Sequence, residues 1–488
     1  MKLNLQAYKD KVYACWTGKN IGGTMGAPYE GSRKFLDVKG FSTASGVALP
    51  NDDLDLQLAW LRAVEVCGAK GVTKQALGEY WMAFITPHWN EYGTCKNNML
   101  NRLYPPLSGD AFNVWKHSNG AWIRTEIWAC LAPGCPDIAC KYAYEDACVD
   151  HGAESEGTIA AVFVAAIESA AFVEKDLRKL VEIAFSRIPT NSRVAQSVRT
   201  VIECYDKGMS YKEARDIILE QNADIGDGWF QAPSNIAYVV IGLLWGEGDF
   251  KKSMIYAINC GDDTDCTGGT LGSIFGIMYG SEGIPTDWKE HIGDSIVTLS
   301  LSTGVLERIP KSCSELTDRV VRLAPSVLFD NEVYDAFTEG EDEIEADYVE
   351  KILKEKEYYS QLLWKIPAYS FWVDLWHTKA TVTLQDDPKI APLQTKKFKI
   401  TFAQDLKRNG WCASNYTLKF RWWLPEGFTV KGDKSVYIWH YTALSKPEST
   451  VEFEVTAPEN VDAVNRLVLE VEPSDKMSLG YIPITFLG

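Results

Sequence analysis

The feature that most limits the fold is a change of hydrophobic period near residue 365. Before it, apolar residues recur at three- and four-residue intervals, as with Leu54, Leu58, Leu61 and Val64 in DDLDLQLAWLRAVEVCG. That spacing lines one face of a helix. Beyond residue 370 they alternate, as in TKKFKITFAQ, STVEFEVTAP and NRLVLEVEP. Such runs are strands with one buried face, and Gly and Pro punctuate them. A chain of 488 residues with both periods divides into domains. We expect an all-α domain over 1–330, a charged helical connector over 331–365, and an all-β immunoglobulin-like sandwich over 366–488.

Within the helical part, residues 5–20 open one helix, and the run Gly22-Gly23-Thr24-Met25-Gly26 ends it or packs it tightly. The next starts at Asn51 and stops at Gly68. Further helices are predicted at about 74–84, 119–131, 137–149, 154–172, 176–187, 191–206, 210–221, 232–246, 248–259 and 286–325. The run EGTIAAVFVAAIESAAF is apolar nearly all round, which marks a buried helix too short to span a bilayer.

The formal charge of −17 opposes nonspecific binding to nucleic acid and to anionic membranes, so neither is an expected partner. Twelve Cys are scattered with no C-x2-C pair, which argues against zinc and iron–sulfur sites. The opening MKLNLQAYKDKVYACWTGKN lacks the apolar stretch of a secretory signal. A reducing cytoplasm is the expected location.

Two acidic runs stand out: Asn51-Asp52-Asp53, with Asp55, and Asp262-Asp263-Thr264-Asp265. Taken singly, each is compatible with plain helix capping. Each also abuts a strongly apolar helix, where a cluster of charge must be solvated, paired or bound to metal. Hard oxygen ligands suit Mg²⁺, Mn²⁺ or Ca²⁺, and two such clusters can hold two ions.

Five stretches carry a resemblance: GKNIGGTMGAPYEG at 18–31, Asn51-Asp52-Asp53, Ser118-Asn119-Gly120-Ala121-Trp122-Ile123-Arg124, Asp150-His151-Gly152-Ala153-Glu154, and Gly261-Asp262-Asp263-Thr264-Asp265-Cys266. Together they resemble the ADP-ribosylglycohydrolase family over roughly residues 8–325. The resemblance implies orthogonally packed helices around a metal cleft. It implies a hydrolase that cleaves the glycosidic bond of an ADP-ribosyl group carried by a protein side chain or a small molecule. The implied cofactor is Mg²⁺, as two ions, with Mn²⁺ as a substitute. Asn51, Asp52, Asp53, Asp263, Asp265 and Cys266 are the implied metal ligands. Glu30 and Asp53 are the catalytic candidates, and Ser118, Asn119, Gly120 and His151 the substrate-contacting ones. Two alternatives stand beside this: hydrolysis of another ribosyl or nucleoside-like compound, and a non-catalytic metal-dependent ADP-ribose-binding or structural protein.

The chain departs from the family pattern at Gly23 (commonly Asp), Asn51 and Asp150 (both Thr), and Cys266 (Thr). A neutral thiol is a poor ligand for Mg²⁺, so one metal position is expected to fill weakly with Mg²⁺ and better with Mn²⁺ or a softer ion. Arg124 either pairs with Glu126 on a helical surface or clamps the floor of the site. Trp229 and Phe230 either border an adenosine pocket or pack in the core.

Overall fold

The computed structural model describes residues 1–225, 230–302, 304–354, 363–375, 378–404, 415–438, 448–474 and 480–488. The chain splits into two compact units. One is Met1–Lys96 with Phe112–Lys365; the other is Asn97–Ala111 with Ile366–Gly488.

The first unit is helical. The elements that matter for its cleft are α1 (Leu5–Gly26), α2 (Asp52–Cys67), α3 (Asn90–Leu100), α4 (Pro136–Asp150), α5 (Glu156–Ala170), α6 (Ala232–Gly246) and α7 (Thr264–Tyr279). The buried helix expected from EGTIAAVFVAAIESAAF is α5, and all but its first residue is buried. Among the described residues, no helix is long and apolar enough to cross a membrane.

Helix α1 does not end near residue 20; it continues through Gly22, Gly23 and Gly26. The reason is its contact with α7. A Cβ at Gly18 would stand 2.0 Å from the Gly272 carbonyl oxygen, one at Gly22 would stand 2.1 Å from the Gly268 carbonyl carbon, and one at Gly26 would stand 2.3 Å from the Thr264 carbonyl carbon. Glycine every fourth residue makes a flat stripe, and the two backbones touch along it. A side chain there meets backbone, which cannot step aside. Gly272→Ala is therefore expected to destabilise the protein by about 3 kcal/mol, at the upper end of overpacking costs. Thermal unfolding measures this. An unchanged midpoint would show that the two helices part without cost.

The helical region predicted over 286–325 holds two helices, Thr286–Ile292 and Cys313–Asp330, and the described residues between them are non-helical. Periodicity missed α3 because NEYGTCKNNML carries no clear apolar stripe. In the predicted connector, the described residues form a short strand, Phe337–Thr338, and a helix, Tyr348–Lys354.

Among the described residues, the second unit holds nine strands: β1 (Ser370–Asp374), β2 (Thr378–Leu384), β3 (Thr395–Gln404), β4 (Tyr416–Trp423), β5 (Thr429–Gly432), β6 (Ser435–Ile438), β7 (Glu448–Thr456), β8 (Val464–Pro473) and β9 (Gly480–Leu487). They form two antiparallel sheets, β9-β8-β4-β6 and β1-β2-β3-β7-β5. Burial alternates along β3, β7 and β8, so Phe398, Ile400, Val451, Phe453, Leu467 and Leu469 all face one apolar core. Leu103, Leu107 and Ala111 join that core from the segment Asn97–Ala111. The Thr485 hydroxyl donates to the Arg102 carbonyl at 3.2 Å, and the Tyr104 and Phe371 rings lie 5.7 Å apart. Nothing in the spacing of residues 97–111 announces this allegiance.

Candidate metal centre and cleft

The two acidic runs occupy helix starts, as their sequence suggests, but they use them differently. At α2 the cap is Asn51, whose Oδ1 accepts from the Asp53 N–H at 2.8 Å. Capping by the neutral residue leaves the carboxylates of Asp52 and Asp53 for other partners. At α7 Asp263 holds the cap position, yet its side chain makes no capping bond. It turns to accept from the Asn119 Nδ2 at 2.7 Å.

Asp262 has φ of 64°, a left-handed turn that redirects the chain just before α7. Its N–H donates to the Ser32 carbonyl at 2.6 Å, and its carbonyl accepts from the Gly31 N–H at 2.8 Å. The loop after α1 is thereby pinned to the loop before α7. That pairing delivers Glu30 to the second acidic run. The Asp262 carboxylate is structural, taking the Asn235 Nδ2 at 3.0 Å and the Phe230 N–H at 3.3 Å.

Two triads result. One oxygen each from Glu30, Asp263 and Asp265 lie within 4.8 Å of one another, as do ligand atoms of Asp53, Asp265 and Cys266. Asp265 belongs to both. Asp53, Asp263, Asp265 and Cys266 are buried, whereas Glu30 is exposed at the rim. Asp53 Oδ2, Asp263 Oδ1 and Asp265 Oδ1 are buried atoms without a hydrogen-bond partner. Buried carboxylate oxygens in that state are costly, and a bound cation would satisfy them. The donor set, mostly carboxylate oxygen, fits a hard divalent ion. Burial first, and then the crowding of like charges, raises every carboxyl of the set. Burial, then Glu30, pushes Asp265 up to about 7. Burial, then Asp265, holds Asp263 well above the carboxylate range. Burial also lifts Asp53 well above that range, against the pull of Lys19. Loss of water around its carboxyl end, then Asp52 and Asp53, brings Glu30 to about 7.

Asp52 is less enclosed and accepts from the Tyr92 hydroxyl at 2.9 Å. Asp52, Ser118, Asn119 and Gly120 line the same cavity of about 110 Å³ as both triads, together with Trp89, Glu91, Tyr92 and Phe230. Ser118 is placed by the Ala232 N–H donating to the His117 carbonyl at 2.9 Å beside it. His151 lies behind Ser118, with Nε2 at 3.2 Å from the Ser118 Oγ and Nδ1 at 3.0 Å from Asp150 Oδ1. Trp229 lies outside the described residues.

Arg124 does not pair with Glu126. It is fully buried and grips Asp146 and Asp150, with its Nη2 3.0 Å from Asp146 Oδ1 and 2.8 Å from Asp150 Oδ1. It also donates to the Gly120 carbonyl, which fixes the Ser118-Asn119-Gly120 turn. Burial opposes the Asp150 charge, but Arg124 and then His151 outweigh it and bring its carboxyl down to about 2. Glu126 pairs instead with Lys19, at 2.8 Å.

Sequence reading missed three residues of this region. Glu91 and Tyr92 lie on α3, whose polar sequence hid the helix itself. Glu91 has a buried Oε2 without a hydrogen-bond partner, and burial, followed by repulsion from Asp150 against the pull of His151, leaves its carboxyl at about 6. Lys19 sits inside α1, where a lone Lys reads as solvent-facing, yet it is 1% exposed.

The family model for ADP-ribosylglycohydrolase matches residues 4–324. The chain belongs to the ADP-ribosylglycohydrolase family. Among curated proteins, ADP-ribosylarginine hydrolase Tri1 of Pseudomonas putida (strain GB-1) is 29% identical over 68 residues, which is 14% of this chain and 18% of that relative. A solved structure named "ADP-ribosylglycohydrolase-related protein complex" is similar over 66% of this chain and 98% of its own, at 20% identity and a TM-score of 0.43.

Proposed function

We propose that this chain hydrolyses the glycosidic bond of an ADP-ribosyl group attached to a protein side chain or a small molecule, with a divalent cation, Mg²⁺ or Mn²⁺. The observation that carries the reading is the meeting of Glu30, Asp53, Asp263 and Asp265 in one cleft, with buried carboxylate oxygens that lack hydrogen-bond partners, in a member of this family. Asp263 and Asp265 would hold the metal beside Glu30, with Asp53 next to Asp265 and Asp52 at the rim. The ion would supply Lewis acidity and neutralise the carboxylates. The chain's own groups do the rest. Glu30, at the mouth and near neutral pKa, is suited to orient a water and accept its proton. Ser118, Asn119 and Gly120 present a turn fixed by Arg124 for the substrate's polar groups. The fixed carboxylates favour positive charge at an oxocarbenium-like carbon. We also read the second unit as an immunoglobulin-like sandwich, because its two antiparallel sheets share one core.

The test is release of free ADP-ribose from peptides ADP-ribosylated on arginine or on serine, followed by mass spectrometry. Release that requires Mg²⁺ or Mn²⁺ and stops with a chelator is expected from at least one of them. No release from either peptide with either ion would overturn the reading.

A further inference from the structure

The two triads are unequal, and Lys19 is the reason. The outer triad, Glu30, Asp263 and Asp265, offers only carboxylate oxygens. The inner triad, Asp53, Asp265 and Cys266, offers two carboxylates and a thiol. That thiol donates to Asp53 Oδ1 at 3.4 Å. On the other side of Asp53 the Lys19 ammonium stands 3.4 Å from Oδ2. Both partners are 1% exposed, so water screens the ammonium little. Its position is fixed by the Ile123 carbonyl at 2.6 Å and by Glu126 at 2.8 Å. Glu126 is also satisfied by the Gln57 Nε2 at 2.7 Å and the Ser273 hydroxyl at 3.2 Å.

Asp53 thus already has the Cys266 thiol on Oδ1 and a built-in cation 3.4 Å from Oδ2. A dication arriving there would face that ammonium at short range in a dry pocket. It would gain little from sulfur if it were magnesium. Nor does the neighbouring sequence supply a replacement ligand. A Cβ at Gly23 would lie 2.3 Å from the Asn51 Nδ2, so Asn51 fills the space above Gly23, and its Oδ1 is occupied as the α2 cap.

We propose that Lys19 acts as a resident counter-cation, so that the cleft takes one hard divalent ion, at Glu30, Asp263 and Asp265, and the inner position stays free of Mg²⁺. Lys19 is then a positioning residue that sets metal stoichiometry, with Cys266 as its accomplice. The inference rests on the metal-dependent reading above and departs from the two-ion expectation drawn from sequence.

The experiment counts ions on the full chain, by Mg²⁺ calorimetry and by electron paramagnetic resonance with Mn²⁺. The parent is expected to bind one equivalent and to give the six-line signal of an isolated Mn²⁺. Asp263→Asn should weaken that binding by at least about 100-fold. Cys266→Thr should still bind one Mg²⁺, because Lys19 remains. Lys19→Met combined with Cys266→Thr should take up a second equivalent and give a spin-coupled Mn²⁺ pair. Two Mg²⁺ equivalents and a coupled pair in the parent would overturn this proposal alone, even where the double variant fails to fold. A folded double variant that still binds one ion would overturn it too. A parent that binds no ion at all would overturn both this proposal and the metal-dependent function.

Discussion

Asp265→Ala is expected to abolish divalent-ion binding and to lower any metal-dependent hydrolysis by more than about 1,000-fold, since Asp265 is the residue common to both triads. The same change should stabilise the metal-free protein at alkaline pH. The folded-state pKa of Asp265 is about 7, above the unfolded value of about 3.9. The folded state therefore binds this proton more tightly than the unfolded state does. Stability rises as pH falls from above 7 toward 4, and the full cost of the ionised group is present above 7. A shift of that size corresponds to at most about 4 kcal/mol. Denaturant titrations in EDTA should find the parent more stable at pH 5 than at pH 8, and the variant less dependent on pH. Added Mg²⁺ should stabilise the parent most at pH 8, where the carboxylates are ionised, and leave the variant unmoved. Equal Mg²⁺ affinity in parent and variant would remove Asp265 from the site.

Arg124→Ala should have the largest effect on folding of any single change away from the carboxylates. The side chain is fully buried, holds Asp146 and Asp150 together, and stacks over the Trp81 ring at 5.1 Å. Its removal leaves two buried carboxylates without their cation. Breaking such a cluster costs about 3–5 kcal/mol. Arg124→Lys should recover only part of this, because an ammonium cannot reproduce the fork that spans both carboxylates and the Gly120 carbonyl. Chemical denaturation measures the loss. Near-parental stability of Arg124→Ala would mean that Asp146 and Asp150 are neutral in the folded protein.

Much of the helical unit was legible because its helices carry caps and apolar faces of ordinary kind. Asn51 and Gly68 bound α2 as their chemistry requires, and α6 was read to the residue. The carboxylates of the site were legible from their density beside apolar helices. Three things were not. The partner of the α1 glycines was one, because spacing along one helix, which left a helix end and close packing both open, does not reveal what they touch. Lys19 has an ordinary surface-type side chain, and only the folded chain reveals that it is buried among acids. The pairing of residues 31–32 with 261–262, which brings Glu30 into place, joins segments some 230 positions apart and leaves no local trace.

The early segment Asn97–Ala111 has a consequence for synthesis. Its core partners are the strands that begin at Ser370, roughly 260 residues later. At about 5–20 residues per second, a ribosome needs roughly 13–50 s to make them. For that interval Leu103, Leu107 and Ala111 have emerged without the sheet they complete. The same three residues lie between Tyr92 and Ser118, two of the cleft's walls. A newly made chain thus carries an unburied apolar patch within the stretch that builds its cleft, a natural place for a holding chaperone to bind until the last strand is translated.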